Sequence, residues 1–289
     1  MITTNNFNLP EPMVRALTSE RRKPVLGRLS ATALIDSPLR RILSLKHFDE
    51  LTEDVSDNLW LLLGTAVHHV IEKSGHKDES EVKTVIDHDS GATLVMVMDY
   101  YKDGELIDWK VTSVYSFLLG TKIEWVNQMN VMKYILNTNN IPVNNMRIYA
   151  ILRDWVKTKS YDPDYPKIPF KEAIIESLPE KELEEYINQR VHLHLEAEKH
   201  LDDVTLIPQC SEEERWTRPT VYAVTRKGIK KSIRNLESME EAKKYISGNA
   251  SLAADKNIFV DVRKGIDMRC EQYCGVSQFC PYYKPGKTE

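Results

Sequence analysis

The chain predicts an α/β fold: a mixed central sheet flanked by helices, with a small cysteine-bearing lobe toward the C-terminus. Three observations carry that expectation. Leu59, Leu62, Leu63, Ala66, Val67, Val70 and Ile71 recur with a helical period. Leu94-Val95-Met96-Val97-Met98 is continuously apolar, as a strand covered on both faces of a sheet tends to be. Asp103-Gly104 then separates two apolar runs. A two-residue hairpin turn needs positive φ at both central positions, which Asp and Gly tolerate.

Taken in order, residues 1–28, with Pro10, Pro12, Pro24 and the run Arg21-Arg22-Lys23, read as an extended N-terminal arm. Order is expected from Leu29. Ser30 or Thr32 would cap a helix reaching about Leu45, and Ser56 would cap the periodic helix. Strands are expected at 83–87, 93–101 and 105–112, a helix at 122–136, and an alternating strand at 146–155. The proline-bearing 161–169 segment is a loop, 170–177 is extended, and 179–201 is a long charged helix. Residues 29–204 thus make a core. Residues 205–289 make an appended lobe, with short strands at 222–225 and 259–262 and a helix at 239–247.

With 289 residues and 42% hydrophobic content, the chain can bury a core without disulfide staples. No apolar run approaches the roughly 20 residues that span a bilayer, and the N-terminus lacks a basic region followed by an apolar one. A cytoplasmic protein with no membrane partner is expected. A net charge of -4 excludes a global field that attracts nucleic acid. DNA contact would have to come from bound metal and local clusters such as Arg226-Lys227-Gly228-Ile229-Lys230-Lys231-Ser232-Ile233-Arg234. The four cysteines are not expected to form disulfides in a reducing compartment. Cys270, Cys274 and Cys280 crowd together, and Cys210 stands far upstream.

The hairpin sets chemistry. Its register puts Asp99 directly opposite Asp108, with Cβ atoms about 4.5–5.5 Å apart, and Lys110 on the same face as Asp108. Facing carboxylates repel, and a divalent cation between them removes the repulsion; their hard oxygens suit Mg²⁺ or Mn²⁺. The plainer alternative is an exposed hairpin whose Lys110 ion pair contributes roughly 0–1 kcal/mol. On the periodic helix, Gly64, His68 and Glu72 form one stripe outside the main apolar arc. His68 is either a solvated histidine or part of a site. His69 borders the arc and reads as structural.

These residues resemble the PD-(D/E)XK nucleases, specifically the RecB-like exonuclease branch. Gly64-x3-His68-x3-Glu72 looks like that family's histidine-bearing helix motif, Asp99 its first acidic position, Asp108-Trp109-Lys110 its D-x-K signature, and Gln128 the start of its glutamine motif. The likeness runs from Leu29-Ser30-Ala31-Thr32 to about Trp155. Met96 replaces a common glycine before the first aspartate, and Met132 replaces the usual tyrosine after Gln128. The resemblance implies a restriction-endonuclease-like core. It also implies that Asp99, Asp108, the Trp109 carbonyl and His68 hold the divalent ion, that Lys110 serves the attacking water, and that Gln128 orients catalytic groups or DNA.

The cysteines resemble the iron–sulfur staple of a subset of these exonucleases, including CRISPR-adaptation and phage types. That likeness assigns Cys210, Cys270, Cys274 and Cys280 to a [4Fe–4S] cluster. By ligand type alone four thiolates suit Zn²⁺ equally well, and Cys210 could instead be an ordinary buried cysteine. In the relatives the remote cysteine precedes the nuclease motifs, whereas here it follows them. The function implied is metal-dependent DNA exonuclease activity in phage or bacterial recombination, repair or processing. The alternatives are a non-catalytic DNA-binding or scaffold subunit and an endonuclease or nickase. Nothing in the sequence names a protein partner or an oligomeric state.

Overall fold

A computed structural model describes residues 1–18, 22–74 and 80–284. Contacts divide the chain into two units, Met1–Ile207 and Pro208–Glu289. The first runs β1 (Ile2–Thr4), α1 (Glu11–Leu17), β2 (Arg28–Ser30), α2 (Ala31–Ile35), α3 (Pro38–Lys46), β3 (Thr52–Asp54), α4 (Leu59–Ser74), β4 (Ser80–Asp87), β5 (Thr93–Lys102), β6 (Glu105–Thr112), α5 (Tyr115–Leu118), α6 (Ile123–Thr138), β7 (Asn145–Leu152), β8 (Phe170–Ile175) and α7 (Glu180–Glu198).

The expected mixed sheet flanked by helices is present. β2 runs parallel to β5, β4 and β6 run antiparallel to β5, β6 and β7 are parallel, and β7 and β8 antiparallel. Its core gathers Leu94, Met96, Met98, Leu106, Met146 and Ile148 from the strands with Met129, Met132, Ile135 and Leu136 of α6 and Leu183, Ile187 and Val191 of α7. Burial of these side chains, at about 1.5–3 kcal/mol each, is the main force holding α6 and α7 to the sheet. Among the described residues no helix is long and apolar enough to cross a membrane.

Four expectations change. Residues 1–28 are not simply an extended arm: β1 pairs in parallel with β3, and α1 ends on the buried Leu17. Pro10 and Pro12 start this helix rather than prevent it, because the first turn has no amide partner to lose. Arg21 of the basic run lies outside the described residues. The helix expected from Ser30 is split into α2 and α3. Ser30 does cap α2, accepting from the Ala33 amide, but Pro38 holds Ser37 in extended backbone and restarts the helix.

Asp54, not Ser56, opens the turn before α4. Its carboxylate accepts from the Ser56 amide at 3.0 Å and the Asn6 amide at 2.7 Å, and from Thr4 Oγ1 at 2.9 Å. Those bonds hold its pKa below the usual carboxylate range. Finally, α4 forms over the expected residues, yet it has no buried residue: Trp60 is 63% and Leu61 54% exposed. His69 is exposed as well, beside Glu72. Periodicity shows which side of a helix is apolar but not whether the chain covers it.

α7 ties the N-terminal end of the sheet in place. Arg190 Nε donates to the Leu34 carbonyl at 2.8 Å, and His194 Nε2 to the same oxygen at 3.3 Å, so these two side chains close the C-terminal end of α2. His194 is fully buried, and burial with the nearby Arg190 and Arg41 charges pushes its pKa down to about 4. Between its ordinary value and 4 the unfolded chain therefore binds a proton that the native state refuses. This stabilisation is complete above about pH 6.5 and is lost as pH falls toward 4, amounting to up to about 3 kcal/mol. His194→Gln, which keeps a donor but cannot titrate, should flatten the pH dependence of urea unfolding across that window. An unaltered slope would rule His194 out as the acid trigger.

The second unit contains α8 (Glu212–Arg215), β9 (Thr217–Arg218), β10 (Val221–Arg226), β11 (Arg234–Leu236), α9 (Met239–Ser247), α10 (Ala250–Ala254), β12 (Ile258–Arg263), β13 (Ile266–Asp267) and α11 (Met268–Gln272). β10 pairs antiparallel with β11 and β12, and β9 with β13. Ala223, Val224 and Ala242 are fully buried and form its small centre.

Candidate active site at the fork between two strands

The hairpin turn is built as its residues dictate. Asp103 and Gly104 have φ of 48° and 84°, the pattern of a two-residue hairpin turn. From it the ladder runs Lys102 to Glu105, Tyr101 to Leu106 and Tyr100 to Ile107, in the expected register. There it stops. Asp99 and Asp108 are the next residues on each strand but not a ladder pair. Asp99 Oδ2 instead accepts from the Trp109 amide at 2.8 Å. A carboxylate has replaced a main-chain acceptor, and the strands part into a fork with Asp99 on one arm and Asp108-Trp109-Lys110 on the other. β6 remains anchored on its far side by the full parallel ladder to β7.

Asp108 is 3% exposed, and its Oδ2 lies 2.7 Å from Lys110 Nζ as an ion pair. Burial pushes the Asp108 pKa up to about 6; Lys110 opposes this and Asp99 adds to it. The repulsion expected between the two acids is therefore present without ladder pairing. Gln128, on α6, bridges the group: its Nε2 donates to Asp108 Oδ1 at 3.3 Å and its Oε1 accepts from Lys110 Nζ at 3.4 Å. Met132 Sδ lies 3.9 Å from the same Nε2.

His68 reaches the fork from α4. Nε2 donates to the Trp109 carbonyl at 2.9 Å, and Nδ1 faces Asp99 Oδ2 at 3.5 Å. With Nε2 protonated, a neutral ring would turn a lone pair toward a carboxylate. Asp99 accordingly raises the His68 pKa. The imidazole thus holds together the two groups, Asp99 and the Trp109 carbonyl, that a cation would also join. Asp99, Asp108, Lys110, His68, Trp109 and Gln128 are all brought to one place.

Among the described residues no three or more His, Cys, Asp or Glu side chains form a ready-made metal cage. The fork supplies a different donor set: two carboxylates, one of them buried beside Lys110, and one main-chain carbonyl. Hard oxygens of this kind suit Mg²⁺ or Mn²⁺. Sequence reasoning missed the Trp109 amide as the partner of Asp99. It also missed the aromatic row in which Trp109 lies 5.3 Å from Tyr149, and Tyr149 5.5 Å from Phe170. The alternation of residues 146–152 was the signal for Tyr149.

In the second unit none of the four cysteines is in a disulfide, and all are half-buried. α8, which follows Cys210, is pinned to the segment carrying Cys270: Arg269 donates to the Glu214 carbonyl at 3.1 Å, and Arg215 Nε lies 3.3 Å from Asp267. Burial pushes the Cys270 thiol up to about 11, and Asp267, Cys274, Cys210 and Cys280 all add to the shift. Cys210 is therefore among the groups that act on the Cys270 thiol. By ligand type four thiols suit iron–sulfur or zinc, but the four side chains do not form a ready-made cage.

No family model matches the chain, and no curated protein does. Among solved structures it overlays on the crystal structure of SSO0001 with a TM-score of 0.44 and 16% identity, over 63% of this chain and 82% of that one. It overlays on an alkaline exonuclease, LHK-Exo, from Laribacter hongkongensis with a TM-score of 0.40 and 15% identity, over 68% of this chain and 96% of that one.

Proposed function

We propose that the chain is a divalent-metal-dependent deoxyribonuclease of PD-(D/E)XK type that degrades linear DNA from its ends, in phage or bacterial recombination, repair or processing. The observation that carries this reading is the buried Asp108 carboxylate, its Oδ2 paired to Lys110 and its pKa raised in part by the charge of Asp99. Asp99, Asp108 and the Trp109 carbonyl would hold Mg²⁺ or Mn²⁺, with His68 as a further ligand or as the group that orients that carbonyl. Such an ion supplies Lewis acidity for phosphodiester hydrolysis. Lys110 would orient the attacking water and offset charge as a P–O ester bond breaks. Gln128 fixes Lys110 against Asp108, which limits the positions its amine can take. A cytoplasmic, reducing setting suits four thiols of which none is in a disulfide.

Degradation of linear duplex in Mn²⁺ by the wild type and by Lys110→Ala tests the proposal. Removing the amine should slow hydrolysis by about 10²–10³-fold. Wild-type protein that cuts nothing would favour a scaffold subunit, a reading to which the uncovered apolar side of α4 lends weight. Cutting of closed circular DNA would favour an endonuclease or nickase.

Cys210, Cys270, Cys274 and Cys280 would hold a [4Fe–4S] cluster, or Zn²⁺ in its place, to staple the second unit. Protein purified without oxygen should be brown and carry about four irons per chain. Colourless, zinc-loaded protein would select the other ion. Protein free of both metals would remove the staple.

A further inference from the structure

Charge is divided unevenly between the two units. Residues 1–207 hold 24 Lys and Arg against 32 Asp and Glu, whereas residues 208–289 hold 15 against 11. The overall -4 conceals a basic second unit. Its cations gather around the turn from β10 to β11: Arg226 ends β10, Arg234 begins β11, and Lys227, Lys230 and Lys231 lie in the loop between, all within nine residues.

The ends of this run already have partners. Arg226 lies 2.9 Å from Asp255, and the Arg234 guanidinium sits 5.0 Å over the Tyr245 ring. Lys227, Lys230 and Lys231 are exposed and make no ion pair among the described residues. Nor is the loop a loose charged tether. Lys227 N donates to the Asn257 carbonyl at 2.9 Å, Ile229 N to Arg226 at 2.9 Å and Ile233 N to Val224 at 2.8 Å. Thr225 Oγ1 donates to the Ile229 carbonyl at 3.2 Å, and Gly228 takes the left-handed φ of 83° that the bend requires. Three like charges are thus held together on a braced turn, and a polyanion would relieve their repulsion. Ile229 and Ile233, 56% and 44% exposed, lie among them. Cations interleaved with apolar side chains match a nucleic-acid strand, with its phosphates and its sugar and base edges, better than they match a free phosphate.

We infer that the β10–β11 loop is a DNA-docking element that grips the phosphate backbone through Lys227, Lys230 and Lys231 without reading sequence. It rests on the nuclease reading only for the choice of DNA as the polyanion, and it is tested by binding rather than by cleavage. Full-length Asp108→Asn protein is titrated onto a labelled DNA duplex from about 50 to about 300 mM KCl, with and without Lys227→Ala/Lys230→Ala/Lys231→Ala. Three lost phosphate contacts should reduce the slope of log affinity against log salt by about 2–3 and weaken binding at least about 10-fold near 100 mM. Lys230→Glu/Lys231→Glu should weaken it further. In protein with Asp108 intact, the triple substitution should raise KM and leave kcat unchanged. An unchanged slope and affinity would overturn the inference. So would a loss confined to binding of anionic phosphatidylserine vesicles. If the chain cuts no DNA yet these lysines set duplex affinity, the docking element stands and the nuclease reading falls.

Discussion

Asp108→Asn is expected to abolish metal-dependent DNA hydrolysis, by at least about 10³-fold, and at the same time to stabilise the metal-free protein. Both effects come from one buried carboxylate. With its pKa raised to about 6, Asp108 binds its proton more tightly folded than unfolded. Its contribution is therefore neutral below about pH 4, becomes unfavourable as pH rises toward 6, and stays so above it. Asparagine has no such charge to bury, and it keeps an oxygen for Gln128 Nε2. The shift to about 6 is already net of the favourable Lys110 pair, so the gain is about 1–3 kcal/mol at pH 7–8. Added Mn²⁺ should raise the melting temperature of the wild type and not that of the variant. A variant less stable than the wild type without metal at pH 8 would mean that the Lys110 pair outweighs the burial cost.

Glu198→Ala is expected to destabilise the first unit by about 3–5 kcal/mol. Glu198 lies 2.6 Å from Arg41, with the two side chains only 12% and 5% exposed. Its oxygens also accept from the Gly27 amide at 3.0 and 2.9 Å, where φ of 68° needs a glycine. Arg41 in turn donates to the Val25 carbonyl at 2.7 Å. Removing the carboxylate leaves a buried guanidinium uncompensated and a main-chain donor orphaned. Arg41→Met/Glu198→Leu should not recover the wild-type value, since the Gly27 amide would still lack its carboxylate acceptor. β2 leaves this clamp to pair with β5 at Thr93–Val95, so the arm that carries Asp99 depends on it. Denaturant melts of the single and double variants measure both effects. A cost below about 1 kcal/mol for Glu198→Ala would show the clamp to be incidental.

Local chemistry made much of this legible. Asp103-Gly104 determines its own turn, and the turn sets the register out to Tyr100 and Ile107. β6 at Glu105–Thr112 and α9 at Met239–Ser247 are where their patterns put them. The expected facing of Asp99 and Asp108 failed as a ladder pair for a reason that hairpin arithmetic cannot contain. A side chain competes with the backbone for the Trp109 amide, and the strands separate. Long-range closures were hidden too: Gly27 and Glu198 are 171 residues apart, and nothing near either one signals the other. The exposed apolar side of α4 was illegible for the opposite reason, since its pattern is that of a covered helix.

The fork as a divalent-ion site is tested most directly by anomalous diffraction at the manganese edge from crystals grown with Mn²⁺. The expected result is one strong peak between the Asp99 and Asp108 carboxylates, with the Trp109 carbonyl in its coordination sphere and the peak absent in Asp108→Asn. A fork without manganese at saturating Mn²⁺, with His68 still bonded to the Trp109 carbonyl and Lys110 still paired to Asp108, would contradict it.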